Sequence, residues 1–273
     1  MTETRHSILR SVSEDLERVD GLPETPQTLS SAYRLAFEDS GFLRSDEMRP
    51  VRLQLELQKF EMILNQMGIE TTIVMFGGAR ILSPGKRHTA RTPYLAELTK
   101  FYDEARLFAR LAGTACMERG GREYVVTTGG GPGVMEAGNR GAQEAGAPSI
   151  GLNILLPHEQ APNEYVTPEL SFNFHYFAIR KMHFLMRARA IAVFPGGFGT
   201  LDELFETLTL IQTDRMKPVP VILFGAEFWQ RIVNWRALCE AGTISERDLD
   251  LFQMVDSAQE GWEIICDAEG IAH

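Results

Sequence analysis

The chain has 273 residues, 44% of them hydrophobic and 23% charged, the balance of a folded globular chain rather than a disordered one. A formal net charge of −10 argues against a duplex nucleic-acid partner, which wants a basic face, but leaves room for a small anion held in a local pocket. No apolar run reaches the ~18 residues a membrane span needs, and the acidic opening MTETRHSILRSVSEDLERVD has no apolar signal core.

These features predict a cytoplasmic protein with no membrane partner and no nucleic-acid partner. Cys116, Cys239 and Cys266 are far apart and form no CxxC pair, so they read as inert thiols in a reducing compartment. Along the chain, residues 1–68 carry apolar side chains at three- and four-residue spacing, in SILRSVSEDLERV, TLSSAYRLAFEDSGFL and VRLQLELQKFEMILNQMG. The spacing predicts an N-terminal helical arm or cap over 1–68. From 69 to 273 short β-branched runs alternate with helical stretches. TTIVMF (71–76), EYVVTT (123–128), PSIGLNIL (148–155), AIAVF (190–194) and VPVILF (219–224) read as strands covered on both faces. Their alternation with helices predicts an α/β, Rossmann-like, doubly wound parallel sheet.

Glycines follow these strands. Gly77 and Gly78 follow the first, Gly129, Gly130, Gly131 and Gly133 the second, and Gly196, Gly197 and Gly199 the run ending at Phe194. In a parallel sheet all these turns lie along one carboxyl edge, where open α/β sheets bind ligands. Two of them open straight into helices, whose first N–H groups and positive dipole ends suit an anion. A single glycine turn has a purely structural reading; two clusters on one edge favour phosphate. The segment after the first strand does not satisfy G-x-G-x-x-G, Glu136 stands where GGGPG would need its third glycine, and no Walker A sequence is present. A mononucleotide is therefore favoured over NAD or ATP.

The segment SFNFHYFAIRKMHFLMRARA (171–190) places Phe177, Arg180, Lys181, Phe184 and Arg187 at helical spacings. It can be a basic helix facing the cleft or a solvated face. His175 and His183 flank it and read as packing or surface residues, since no companion ligand stands at metal spacing.

Together GGGPGVMEAGNRGA (129–142), RK (180–181) and PGGFGTLDE (195–203) resemble the Lonely Guy family, the cytokinin riboside 5′-monophosphate phosphoribohydrolases and their bacterial relatives, over roughly residues 70–240. The resemblance implies a Rossmann-like fold and hydrolysis of the N-glycosidic bond of AMP-like nucleotides, giving free base and ribose 5-phosphate. It implies a homodimer or higher homo-oligomer, and neither a cofactor nor a metal. By position Arg180 and Glu203 match the catalytic Arg and Glu. Gly77, Gly78, Gly129, Gly130, Gly131, Gly133, Lys181, Gly196, Gly197, Gly199 and Thr200 would bind the nucleoside 5′-monophosphate. FAIRK stands where plant members have M-H-E-R-K, and the N-terminal helices are extra, so the chain is more similar to the longer bacterial branch. Molybdenum-cofactor carriers share the fold, which makes a non-enzymatic nucleotide or molybdenum-cofactor carrier the alternative function.

Glu203 has two readings. Thr200-x-x-Glu203 fits a capping box, with Thr200 capping the helix and Glu203 reaching back to its start. Alternatively Glu203 faces the cleft, where a carboxylate can stabilise an oxocarbenium-like ribose and orient water, as in glycosidases. Asp202 is the second candidate acid.

Overall fold

The computed structural model describes residues 10–155 and 161–271. It divides into two compact units, Met1–Leu55 and Glu56–His273. The first holds helices α1 (Val12–Asp20) and α2 (Ser40–Arg44), and helix α3 (Arg49–Met67) spans the division. A Ser11–Glu14 capping box starts α1. The helix expected across 28–43 is replaced by a 3-10 turn, Ser31–Tyr33, and the short α2. The Ser30 and Asp39 side chains accept backbone N–H groups there and start each piece separately. Residues 7–9 of the first expected helix lie outside the described residues. The arm was expected to run to 68, whereas the division falls at Leu55; Phe60 and Leu64 of α3 are buried in the core of the second unit.

The second unit is built on seven strands: β1 (Thr72–Phe76), β2 (Val125–Thr128), β3 (Ser149–Ile154), β4 (Ser171–Phe174), β5 (Ala188–Val193), β6 (Val221–Phe224) and β7 (Gln253–Val255). They run parallel in the order β4-β3-β2-β1-β5-β6-β7. This is the α/β, Rossmann-like fold expected from the alternation. All residues of β1, β2 and β6 are buried, as strands with helices on both faces must be. Between the strands lie α4 (Pro93–Glu97), α5 (Lys100–Glu118), α6 (Val134–Glu144), α7 (Phe177–Met186), α8 (Phe198–Gln212), α9 (Ala226–Ile232), α10 (Trp235–Glu240) and, last, α11 (Ala258–Glu269). Helices α5, α6 and α11 pack together, with Phe108 of α5 edge-on to Trp262 of α11 at 6.2 Å. The core beneath is aromatic, Phe194 stacking on Phe224 at 4.1 Å.

The strand order reverses between β1 and β5, which creates the switch-point crevice of an open α/β sheet. Two short strands carried no clear sequence signal. β4 lies in the segment 171–190 ahead of the helical spacings; it alternates exposed and buried residues as an edge strand, and the helix starts at Phe177, the first of the residues placed at helical spacing. β7 has three residues at the opposite edge. Among the described residues no helix is long and apolar enough to cross a membrane. Cys116 and Cys266 are buried and unbridged, and burial pushes the Cys116 thiol up to about 11, so it is protonated and inert.

Candidate active site

Three glycine turns meet at the switch point. Phe76 and Val193 are register partners, so the chains leaving β1 and β5 emerge side by side. Gly78 then donates its N–H to the Pro195 carbonyl at 3.0 Å. On the other side Val134, the first residue of α6, donates to the Gly78 carbonyl at 3.3 Å. Two positions require glycine for this convergence. Gly133 has φ 73 and ψ −127, and a Cβ there would strike the Gly78 carbonyl oxygen. A Cβ on Gly196 would strike the Thr200 side chain and come within 2.9 Å of the Gly78 nitrogen.

The turn after β2 is fixed by amide side chains. Asn163 donates its backbone N–H to the Gly130 carbonyl (2.8 Å), and its Nδ2 to the Gly131 carbonyl (3.0 Å) and to Asn139 Oδ1 (2.9 Å). Thr128 Oγ1 accepts the Gly130 N–H at 2.9 Å and donates to Asn139 Oδ1 at 2.7 Å. Asn139 is fully buried and donates onward to Ser149 Oγ at 3.0 Å. Low dielectric strengthens such a satisfied network, so the Gly130 and Gly131 peptides are held in one orientation. None of these polar residues was singled out from the sequence. Asn163 lies more than 30 residues from the glycines it holds, and no local pattern reports that.

The turn after β5 leads into α8. Its first turn has N–H groups with no acceptor inside the helix, at the positive end of the dipole. Gly197 is the N-cap and no side chain caps the helix, so the capping role expected of Thr200 is not found. The helix begins three residues earlier than the capping-box reading needs. Thr200 is its third residue, buried against Gly196, and Glu203 lies further inside.

Glu203 is 8% exposed. Burial raises its pKa to about 7; Lys181 and Arg180 pull it down, and Glu206 and Asp202 push it up. The carboxyl group thus titrates near neutrality beside two cations, the poise of a working acid–base group.

Those cations come from α7. Arg180 donates from Nε to the Leu152 carbonyl at 2.7 Å, and its guanidinium lies over Phe184, 5.1 Å from the ring centroid. A Cβ on Gly129 would be 2.8 Å from Arg180 Nη2, so the guanidinium rests against the first glycine of the β2 turn. Lys181 Nζ stands 3.0 Å from Asp202 Oδ2 and 2.9 Å from Glu206 Oε2. Burial opposes its charge, but the hydrogen bonds to Glu206 and Asp202 and the Glu203 charge outweigh it and hold its pKa above the usual lysine value. Asp202, half-exposed, is therefore engaged as a counter-ion on the outside of α8.

The structure brings Gly78, Gly133 and Gly196 into contact, puts Arg180 on Gly129, and sets Glu203 within electrostatic reach of Arg180 and Lys181. Gly197 and Gly199 would meet nothing within 4 Å of an added Cβ. His175 is exposed, and His183 is buried against Phe60. Among the described residues no group of three or more His, Cys, Asp or Glu is gathered to hold a metal. A 590 Å³ cavity lies elsewhere, on the connection after β1, lined by Arg87, His88, Arg91 and their neighbours.

Residues 135–265 match the family model described as "Possible lysine decarboxylase". The chain carries a domain of this family, the Lonely Guy family. Among solved structures it is similar to the protein TM1055, with 22% identity over 71% of this chain and 98% of that one, TM-score 0.48. It is also similar to the molybdenum cofactor binding protein of the phototrophic bacterium Rippkaea orientalis, 18% identical over 73% and 98% of the two chains, TM-score 0.46. The molybdenum cofactor carrier protein of Chlamydomonas reinhardtii is 16% identical over 73% and 99%, TM-score 0.45. No curated protein gave a match. The decarboxylase wording of the Lonely Guy family model does not suit Lys181. An amine that attacks a carbonyl needs a lowered pKa, and the pKa of Lys181 is raised.

Proposed function

We propose that the chain hydrolyses the N-glycosidic bond of nucleoside 5′-monophosphates, AMP or a cytokinin riboside monophosphate, to free base and ribose 5-phosphate. The observation that carries this reading is Glu203: a buried carboxyl group raised to about 7, beside two cations, on a helix it does not cap. In this reading the Gly129–Gly133 and Gly196–Thr200 turns and the start of α8 receive the anionic nucleotide. Arg180 supplies the cation that holds the phosphate or the departing base. The C1′–N bond breaks with its electron pair going to the base, and the sugar gains oxocarbenium character. Ionised Glu203 stabilises that charge and orients the water whose oxygen bonds to C1′. One proton of that water leaves through the carboxylate, and the base takes up a proton in turn, so AMP plus water gives adenine plus ribose 5-phosphate.

The homodimer implied by the family is part of the same proposal, and Phe198, 93% exposed at the start of α8, is a side chain such a contact would cover. Light scattering that finds a monomer at micromolar concentration counters that part. The activity is tested with a panel of nucleoside 5′-monophosphates, assaying base and ribose 5-phosphate. Glu203→Gln keeps the shape and removes the charge, and turnover should fall by roughly 10²-fold or more with AMP affinity nearly kept. Asp202→Asn should do far less. Tight binding of a monophosphate without release of base from any of them would make the protein a carrier.

A further inference from the structure

Helix α7, which carries Arg180 and Lys181, is held at both ends by one face of α3. At its start no side chain of its own segment caps it. Instead Glu56 accepts the His175 N–H at 2.8 Å on Oε1 and the Tyr176 N–H at 3.2 Å on Oε2. A carboxylate from 119 residues away thus fixes the backbone of the two residues that lead into the helix, and its charge also favours the positive end of the dipole. At the other end Arg187, the C-cap residue, donates from Nη2 to Glu61 Oε2 at 2.7 Å and to Asn65 Oδ1 at 2.8 Å, and from Nη1 to the Ile69 carbonyl.

Between the two ends His183 fills the gap. Its side chain is fully buried, with ring centroids 4.1 Å from Phe60 and 5.5 Å from Phe174. Its Nδ1 is 3.7 Å from Glu61 Oε1, too long for a hydrogen bond. Burial lowers its pKa, Glu61 and Glu56 oppose that, and Arg187 adds to it, so the ring is neutral at pH 7 and packs as an aromatic. Glu56, Phe60 and Leu64 recur every four residues and Glu61 and Asn65 run beside them, so α3 presents the whole set on one face.

We propose that Glu56 and Glu61 are positioning residues that lock α7 at its two ends and so set where Arg180 and Lys181 stand relative to Glu203. This rests on the reading of Arg180 and Glu203 as the working pair. A carboxylate that merely stabilised the fold would change melting temperature and nothing at Glu203. A positioning residue must also change the field at Glu203, because the charges facing that carboxyl group are Lys181 and Arg180 from α7 and Glu206 and Asp202 from its own helix. The two cations pull its pKa down, so loosening α7 moves it up.

The test titrates Glu203 in the full chain by carbon-13 NMR of glutamate carboxyl carbons, with the signal assigned by its loss in Glu203→Gln. Glu61→Gln and Glu56→Gln should each raise the Glu203 midpoint by about half a pH unit or more, and Glu61→Asp should restore part of the shift. Where the unmutated protein cleaves AMP, kcat should fall about 3- to 10-fold in both Gln variants with KM little changed, as a displaced group rather than a lost binding contact predicts. An unchanged or lowered midpoint in both variants, with only the melting temperature reduced, overturns the proposal. The titration needs no turnover, so a protein that cleaves no nucleotide refutes the activity while the positioning result still stands or falls by itself. If Glu61→Gln does not fold, Glu56→Gln reads the same midpoint.

Discussion

In the turn after β2 the Gly130 and Gly131 carbonyls are gripped by Asn163, Thr128 takes the Gly130 N–H, and Asn139 ties the set to β3. In the turn after β5, Gly197 and Gly199 have open space around them and the helix that follows has no side-chain cap. Both turns are strand–glycine–helix junctions of near-identical appearance in sequence. One is a scaffold whose backbone is held by buried amides. The other leaves its N–H groups uncommitted and puts a buried carboxyl group just behind them. A glycine cluster marks where the backbone bends or must approach something closely; only the neighbours reveal whether that something is the protein itself or a ligand.

The largest effect that would break this comparison is expected at Gly133→Ala. Gly133 has φ 73, and a Cβ would meet the Gly78 carbonyl oxygen and stand 2.8 Å from the Ala79 carbonyl carbon, all of it backbone. Neither strain can be relieved by a rotamer change. The substitution should cost about 3 kcal/mol or more, from the disfavoured backbone and the overlap together. Thermal unfolding should show a midpoint lower by roughly 6 °C or more. A midpoint within 2 °C or so of the unmutated protein would mean the scaffold turn yields, and the distinction between the two turns would fail.

A smaller effect sharpens the other half of the comparison. Glu203 is raised from 4.5 to about 7 in the folded chain, so between those pH values the folded state binds more protons than the unfolded one. Stability therefore falls as pH rises through that window, the opposite of a salt-bridged carboxylate. At about 1.4 kcal/mol for each tenfold change in proton affinity, the ionised form costs the fold up to about 3 kcal/mol above pH 7. Glu203→Gln should be more stable than the unmutated protein by about 1–3 kcal/mol at pH 8 and about equal to it below pH 4.5. Denaturant unfolding at the two pH values reads this directly. Equal stability at pH 8 would mean that the carboxylate is solvated and cheap, and the site would lose its poised acid.

Much of this was legible in the sequence, for physical reasons that also explain what was not. Strands β1, β2 and β6 are wholly buried and β3 and β5 are buried over most of their length, so they read as short apolar runs rich in β-branched residues. The glycines stood out because close backbone approach admits little else. β4 was hidden because an edge strand needs only alternate apolar residues, here Phe172 and Phe174, and four residues of that pattern do not stand out beside the helix that follows. Thr200 and Glu203 matched a capping box by spacing, but the actual helix starts at Phe198 and puts the pair inside it. Asn163 and Glu56 were illegible because each acts across a long separation in sequence, on backbone groups that any residue would offer.

The smallest effect on folding is expected at Gly197→Ala, and it is the one that isolates the open turn. Gly197 has φ −99 and ψ −153, an extended conformation any residue adopts, and an added Cβ would meet nothing within 4 Å. The methyl group neither clashes nor strains the chain, and it slightly reduces the freedom of the unfolded state. Stability should stay within about 0.5 kcal/mol of the unmutated protein, or rise by a few tenths. Ligand binding should respond differently. If the nucleotide approaches the start of α8 as proposed, the methyl group stands between it and the N–H groups, and AMP affinity should fall about 3- to 10-fold, the loss of one modest hydrogen bond. Calorimetric titration with AMP and a thermal melt on the same sample separate the two quantities. Lost stability would show that Gly197 is held by the protein after all; unchanged affinity at unchanged stability would move the nucleotide off the β5 turn and leave the β2 turn to bind it.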